Sequence, residues 1–127
     1  MTESQSPRVP VVLHFRGGRT EHVYAPPQID ADRQTVSVTD QESSSREVAF
    51  ADLKAIFFLS DASTAASGLP TGVTLAVQFA DGELIRGIAT RYDPGASGFF
   101  LYPHDRSKND RVFVISAAVV SIDVEKL

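Results

Sequence analysis

The sequence Val73-Thr-Leu-Ala-Val-Gln-Phe-Ala-Asp-Gly-Glu83 has apolar residues at alternate positions and ends in a glycine turn. Alternation with a period of two predicts a strand with one buried face, and Asp-Gly predicts a tight hairpin. The stretch Val9-Pro-Val-Val-Leu-His-Phe-Arg-Gly-Gly-Arg19 has the same pattern 64 positions earlier. The sequence therefore predicts an internal repeat in which Val9 corresponds to Val73.

Each of these two stretches begins a series of five predicted short strands. The predicted strands are 9–15, 20–25, 35–39, 47–50 and 55–59, and then 73–79, 84–90, 99–102, 111–115 and 119–124. A short 3₁₀-type turn is expected before the last strand of each series, with Asp52 as its cap in the first and Ser116 in the second. Such a turn is a feature of SH3-like barrels. We therefore predict an all-β protein of two tandem five-stranded SH3/Sm-like barrel units, packed together.

The composition between these elements gives the predicted domain boundaries. Residues 1–8 are polar and aperiodic and are expected to form a flexible leader. Residues 9–59 form the first unit and residues 73–127 the second. The small, polar stretch 60–72 reads as a linker, with a short helix through Ala62–Ser67 as the alternative.

The composition also excludes several classes of function. The 127 residues include 12 basic and 16 acidic ones, a net charge of −4, so nucleic acid and anionic membranes are not expected partners. The absence of cysteine removes disulfides, thiolate metal sites and thiol nucleophiles. No apolar run approaches the roughly 20 residues that span a bilayer, and residues 1–6 lack a signal-peptide pattern. We expect a soluble cytoplasmic protein without a cofactor.

Paired phenylalanines predict how the two units meet. In Ile56-Phe-Phe-Leu59 and Gly98-Phe-Phe-Leu101, neighbouring side chains must point to opposite faces of a strand. One of each pair can fill the interior of its unit, and the other faces outward. We expect Phe57 and Phe100 to seal the units against each other or against a second chain.

Three motifs resemble those of an uncharacterised bacterial domain family. They are Phe79-Ala-Asp-Gly-Glu83, Gly98-Phe-Phe-Leu101 and Arg111-Val-Phe-Val114, and the resemblance covers nearly all of residues 9–124. The family has no established activity and occurs alone or beside signalling modules, which implies a regulatory or interaction role. Residues 77–93 are more loosely similar to Sm-like barrels. Ser97-Gly98 and Ser116-Ala117 replace the Sm RNA-binding residues, so the similarity implies the barrel but not RNA binding.

The stretch from His104 to Arg111 is the densest polar segment and the main candidate site. Its cations could bind a phosphate or an acidic peptide, and His104, Asp105 and Asp110 are the only candidate metal ligands in it. Its charges nearly cancel, as in a solvated loop whose side chains pair with one another, so we predict no metal site. The predicted binding residues are Tyr92, Tyr102, His104, Arg106, Lys108 and Arg111.

No set of residues predicts catalysis. Asp81 and Glu83 lie at a hairpin turn, and Asp93-Pro-Gly95 has the composition of a second turn. Asp93 to Gly98 is similar to half of a cyclic-dinucleotide-binding PilZ motif, but the paired arginines of that motif are missing. His14 and His22 are expected on outward or edge faces of the first hairpin, without ligand partners.

These observations favour a non-enzymatic interaction or regulatory module. We expect a protein partner, with a homodimer as an alternative, bound at an exposed strand edge or at the surface of Tyr92 and Tyr102. The alternative function is a sensor of a small ligand, nucleotide or anion that uses the 104–111 loop. An enzyme comes third, because no nucleophile, base and oxyanion group converge in the sequence.

Overall fold

Ten short strands make up nearly all the regular structure in the computed structural model, which describes residues 8–60, 68–93 and 95–125. In chain order they are β1 (Val9–Phe15), β2 (Thr20–Ala25), β3 (Thr35–Thr39), β4 (Ser45–Ala49), β5 (Leu53–Leu59), β6 (Val73–Phe79), β7 (Leu84–Ala89), β8 (Gly98–Pro103), β9 (Asn109–Ile115) and β10 (Val119–Glu125). Single 3₁₀ turns, Phe50–Asp52 and Ser116–Ala118, precede β5 and β10. The predicted all-β class is confirmed.

All the strand pairs are antiparallel and join into one order, β10-β6-β7-β8-β9-β5-β1-β2-β3-β4. The first five strands are neighbours, and so are the last five, with β5 and β9 joining the two groups. Among the described residues this order has two ends, β4 and β10, and does not close on itself. The sheet is therefore open, where the sequence predicted two barrels.

The two glycine turns form the hairpins that the opening pattern predicted. Gly18 and Gly82 both have positive φ, 95° and 96°, which glycine adopts without the steric cost of a side chain. The Phe15 N–H donates to the Arg19 carbonyl at 2.9 Å, and the Phe79 N–H donates to the Glu83 carbonyl at 2.8 Å. The β1–β2 and β6–β7 hairpins thus close in the same way, at equivalent places in the two groups of strands.

A different spacing relates the closing strands of the two groups. Leu13 of β1 lies opposite Ile56 of β5, and Val77, the counterpart of Leu13 in the predicted repeat, lies opposite Ile122. By strand pairing, Ile122 is therefore the counterpart of Ile56, although the 64-residue offset makes Ile122 the counterpart of Phe58. The first residues of the two 3₁₀ turns are separated by the same larger spacing as Ile56 and Ile122. The offset consequently places β10 two residues out of register with β5, which leaves each side chain on the expected face.

The predicted caps of the 3₁₀ turns are wrong. The first turn ends at Asp52, and its N-cap, Ala49, makes no side-chain cap bond. The turn begins at Phe50, whose ring is buried and whose backbone N–H donates to the Gln34 carbonyl at 2.8 Å. Ser116 is the first residue of the second turn, and its hydroxyl donates to the Ala96 carbonyl at 2.8 Å. Burial and cross-connections therefore position these turns.

Strands β5 and β9 separate two hydrophobic cores. Core 1 contains Val11, Leu13 and Val38. Alternate residues of β5 and β9 also face core 1, namely Ile56, Phe58, Phe113 and Ile115. The residues between them face core 2, with Leu75, Val77 and Phe79; these are Ala55, Val112 and Val114. Each core takes buried residues from both groups of strands, so neither group has a complete core of its own.

The two predicted interface residues lie across this division. Phe57, from β5, is half-buried against core 2, and Phe100, from β8, is half-buried against core 1. The Phe100 ring centroid is 5.5 Å from that of Phe58 and 5.1 Å from that of Phe113. The leader, apart from Arg8, and residues 61–67 of the linker, with its alternative helix, lie outside the described residues.

Candidate interaction site

The guanidinium of Arg106 is held inside the predicted binding loop. It donates to the backbone carbonyl of Asp110 at 3.1 Å, forms an ion pair with the Asp110 carboxylate and donates to the carbonyl of Gly68. Its side chain is also 5.8 Å from the ring centroid of Tyr102. These contacts tie the loop to Gly68 of the linker, so Arg106 has a structural role here.

Arg111 is the second cation of the loop that packs inward. Its guanidinium lies 4.3 Å from the ring centroid of Phe58 and 5.3 Å from that of Phe100. It pairs with the Asp110 carboxylate and donates to the carbonyl of Pro27 at 2.7 Å. Arg111 therefore covers the rim of core 1 and bridges the two groups of strands.

The remaining predicted site residues do not converge. His104 and Lys108 are exposed, whereas Tyr102 is half-buried on β8. Asp105 accepts the Ser107 N–H and hydroxyl, at 3.0 and 2.7 Å, and these bonds hold the pKa of the Asp105 carboxyl below its ordinary value. Contacts within the loop, together with those of Arg106 to Gly68 and of Arg111 to Pro27, thus organise this segment.

An open depression of about 390 Å³ lies between β8 and the loop of residues 28–32. Tyr102 and Arg91 line it, together with Phe99, Phe100 and Phe113. None of the three cations at 106, 108 and 111 is among its described lining residues. The structure does not combine the loop cations with this depression into one pocket.

Lys54 forms an ion cluster that sequence reasoning did not find. It occupies the bulge of β5 between Leu53 and Ala55, is only 8% exposed, and its ammonium is 2.8 Å from the Asp81 carboxylate. It also pairs with Glu83 and lies 4.9 Å from the Phe79 ring centroid. The acids assigned to turn chemistry therefore also join β5 to the β6–β7 turn.

The Lys54 cluster changes the acidity of its members. Burial by itself lowers the pKa of Lys54, but the bonds to Asp81 and Glu83 outweigh it and raise that pKa above its ordinary value. The bond from Lys54, with the Glu83 N–H second, lowers the pKa of the exposed Asp81 carboxyl. Both carboxylates therefore stabilise the charged form of the lysine.

His14 lies beside this cluster on β1. Its ring centroid is 4.1 Å from that of Phe57. Burial, and then the charge of Lys54, lower the pKa of His14, while the charges of Glu83 and Asp81 act in the opposite direction. Among the described residues, no three His, Cys, Asp or Glu side chains are grouped so that they could hold a metal ion.

Strand β10 is the most apolar exposed edge among the described strands. Val120 is 61% exposed and Val124 is 52% exposed. Tyr92 stacks edge-on against Phe99 at 5.2 Å and lines an open depression of about 280 Å³ with residues 119–122 of β10. One predicted site residue, Tyr92, is thereby placed next to a strand edge that pairs with no other described strand.

The profile of a protein family described as a family of unknown function (DUF6982) matches residues 8–126. The chain belongs to this family. The resemblance to an uncharacterised domain family, drawn from the three motifs, is thus confirmed. DUF6982 membership carries no assigned activity, and the searches of curated proteins and of solved structures gave no match. No helix in the described part of this DUF6982 chain is long and apolar enough to cross a membrane.

Proposed function

We propose that this chain is a non-enzymatic interaction or regulatory module that binds a protein partner by strand addition at β10. The observation that carries the proposal is the end position of β10 in the sheet order, with Val120 and Val124 exposed on it. An edge strand presents unpaired N–H and C=O groups, which an added strand can satisfy. Exposed apolar side chains on the same strand add area that a partner would remove from water.

The opposite edge, β4, supports this choice by contrast. Its exposed residues are Ser45, Arg46 and Glu47, a polar and charged set of the kind that keeps edges from pairing without a matched partner. The depression that Tyr92 lines beside β10 offers a place for one partner side chain. An apolar edge next to an aromatic depression fits recognition of an extended segment better than it fits catalysis.

The finer architecture that the sequence predicted belongs to the same proposal. We retain two SH3/Sm-like units, because both groups have their strands in the order fifth, first, second, third, fourth. The matched hairpin hydrogen bonds and the two 3₁₀ turns support a duplicated unit.

The alternative, a small-ligand or anion sensor in the 104–111 loop, has weaker support. Arg106 and Arg111 bind carbonyl groups and the Asp110 carboxylate, so an anion would have to compete with these contacts. Only His104 and Lys108 of the predicted residues in this loop are exposed. A thermal shift with nucleotides that Lys108→Ala abolishes would favour the sensor.

Photo-crosslinking from β10 tests the proposed function. A photoreactive amino acid is placed at Val120 or Val124 in living cells, with Leu84 of β7, which is 54% exposed, as the matched control. We expect a discrete protein adduct from β10 and none from position 84. Equal labelling from all three positions, or none from β10, would contradict the proposal.

A further inference from the structure

We infer that the strand added at β10 is β4 of a second copy of this chain, an inference that rests on the proposed function. The structure contains the template for this contact, because β5 of the first group already pairs with β9 of the second. Strand β10 is the fifth strand of the second group, as β5 is of the first, and β4 is the fourth strand of the first group, as β9 is of the second. Among the described strands, these two are the free ends of the sheet.

The template gives a register for the contact between copies. Arg46 lies four residues before the first 3₁₀ turn, and Val112 lies four residues before the second. Phe57 and Asp123 each lie five residues after the end of the preceding turn. Since Phe57 pairs with Val112, the same geometry places Asp123 of one copy opposite Arg46 of the next.

This register brings opposite charges together. Asp123 and Arg46 are both exposed, and oppositely charged residues directly across a strand pair stabilise it. Arg46 also pairs with Glu21 of its own chain at 2.7 Å. A guanidinium has five N–H donors, so this pair leaves donors for the second carboxylate. A slip of one residue would instead place Asp123 opposite Glu47 or Ser45.

One exposed valine gains cover in the same register. Val120 occupies the bulge of β10, and Lys54 occupies the bulge of β5. The β6–β7 turn, with Asp81 and Glu83, covers Lys54. In the proposed contact, the β1–β2 turn of the next copy would cover Val120. That turn has Gly17 and Arg19 in place of Asp81 and Glu83, so the neutral valine meets a turn without acidic residues. Val124 corresponds to Phe58, which pairs with Arg111, so in this register Val124 lies opposite Ser45 of the next copy.

The contact uses different surfaces on the two copies, so each bound copy still offers one free β4 or one free β10. Such a head-to-tail contact produces a closed ring when the rotation closes and an open chain when it does not. The inferred species is therefore an assembly of several copies, in addition to the dimer.

Sedimentation velocity of the full chain over a wide concentration range tests the inference. We expect species larger than one chain for the wild type. Arg46→Glu and Asp123→Arg should each weaken association at least about tenfold, because each places like charges across the strand pair. An equal mixture of the two variants should associate again, because alternation of the copies restores an opposite-charge pair at every contact. Unchanged melting temperatures identify variants that have kept the fold.

Each other outcome decides against the inference. A wild type that remains a single chain at every concentration overturns it, while β10 crosslinks to a different protein would leave the proposed function standing. If Asp123→Arg abolishes association and Arg46→Glu leaves it unchanged, β10 is the docking edge but β4 is not its occupant. Absence of both assembly and β10 crosslinks overturns the two proposals together.

Discussion

The ammonium of Lys54 lies 2.8 Å from the carboxylate of Asp81, which joins the bulge of β5 to the turn between β6 and β7. The two residues are on different groups of strands. Because Glu83 accepts from the same ammonium and the Phe79 ring lies beside it, the lysine stem and its charge both have partners. This contact holds the two groups in a fixed relation beside the β5–β9 pair.

Reversing the charge of Lys54 tests the role of this cluster. Lys54→Glu should lower the free energy of unfolding by about 2 kcal/mol, because three carboxylates would then share one site with little solvent around position 54. Lys54→Met keeps the apolar stem, and the two acids are about half exposed. The free energy of unfolding of this variant should therefore fall by no more than about 1 kcal/mol. Urea denaturation of the wild type and both variants measures these values. Equal stability of Lys54→Glu and Lys54→Met would contradict an ionic role.

The lowered pKa of His14 predicts how stability depends on pH. The ordinary pKa of histidine is 6.5, and the pKa of His14 in the folded chain is lower. At a pH below 6.5 the unfolded chain therefore binds a proton more readily than the folded chain, so stability falls as the pH falls through 6.5. His14→Gln should flatten the dependence between about pH 8 and 5.5 relative to the wild type. Melting temperatures across that range measure the difference. Identical slopes for the two proteins would contradict the assignment.

The half-buried phenylalanines across the β5–β9 division should be intolerant of charge. Phe57→Asp and Phe100→Asp should each lower the free energy of unfolding by about 3 kcal/mol, because a carboxylate would replace a ring packed on a core. Leu84→Asp, at a position 54% exposed, is the matched control and should change stability by less than about 0.5 kcal/mol. Chemical denaturation checks the three values, and melting temperatures unchanged in both Phe variants would refute the packing role.

Arg111 is expected to act on stability and not through a bound anion. Arg111→Lys should lower the free energy of unfolding by about 1 to 2 kcal/mol, since lysine cannot both donate as a planar fork and stack on Phe58. Lys108→Ala, at an exposed residue of the same loop, should stay within about 0.5 kcal/mol. A denaturation series with and without phosphate separates the two roles. A stability difference present only with phosphate would return the loop to the sensor hypothesis.

The strands could be predicted from the sequence because the period-two pattern and the glycine turns are local signals. Gly82 in Asp-Gly predicts its hairpin, and Gly87 in the middle of a predicted strand indicates a bulge or bend. The structure gives the second glycine a different reason: β6 and β7 pair through Gly87 without a register shift, and a Cβ at Gly87 would lie 2.3 Å from the Tyr102 carbonyl oxygen, so the glycine lets β8 approach. The reason is a contact with another strand, which no local pattern contains.

The pairing of β5 with β9 and the Lys54 cluster could not be predicted, because both join residues that no short-range pattern relates. Lys54 is an ordinary lysine in the sequence, and its partners Asp81 and Glu83 lie beyond the linker, in the turn of a later hairpin. The fixed 64-residue offset also concealed the two-residue shift of β10, since a shift of two preserves the alternation of faces. Those contacts decide which edges remain free, and so the candidate site required the structure.

A crosslink between two single-cysteine variants tests the docking of β10 on β4 of a second copy, and the natural chain has no cysteine to interfere. Asp123→Cys and Arg46→Cys proteins are mixed and treated with a short bis-maleimide linker, with Leu84→Cys replacing Asp123→Cys in the control mixture. We expect a linked pair that contains one copy of each variant in the first mixture and no such pair in the control. If the first mixture yields no more mixed pair than the control, β10 does not dock on β4 of a second copy.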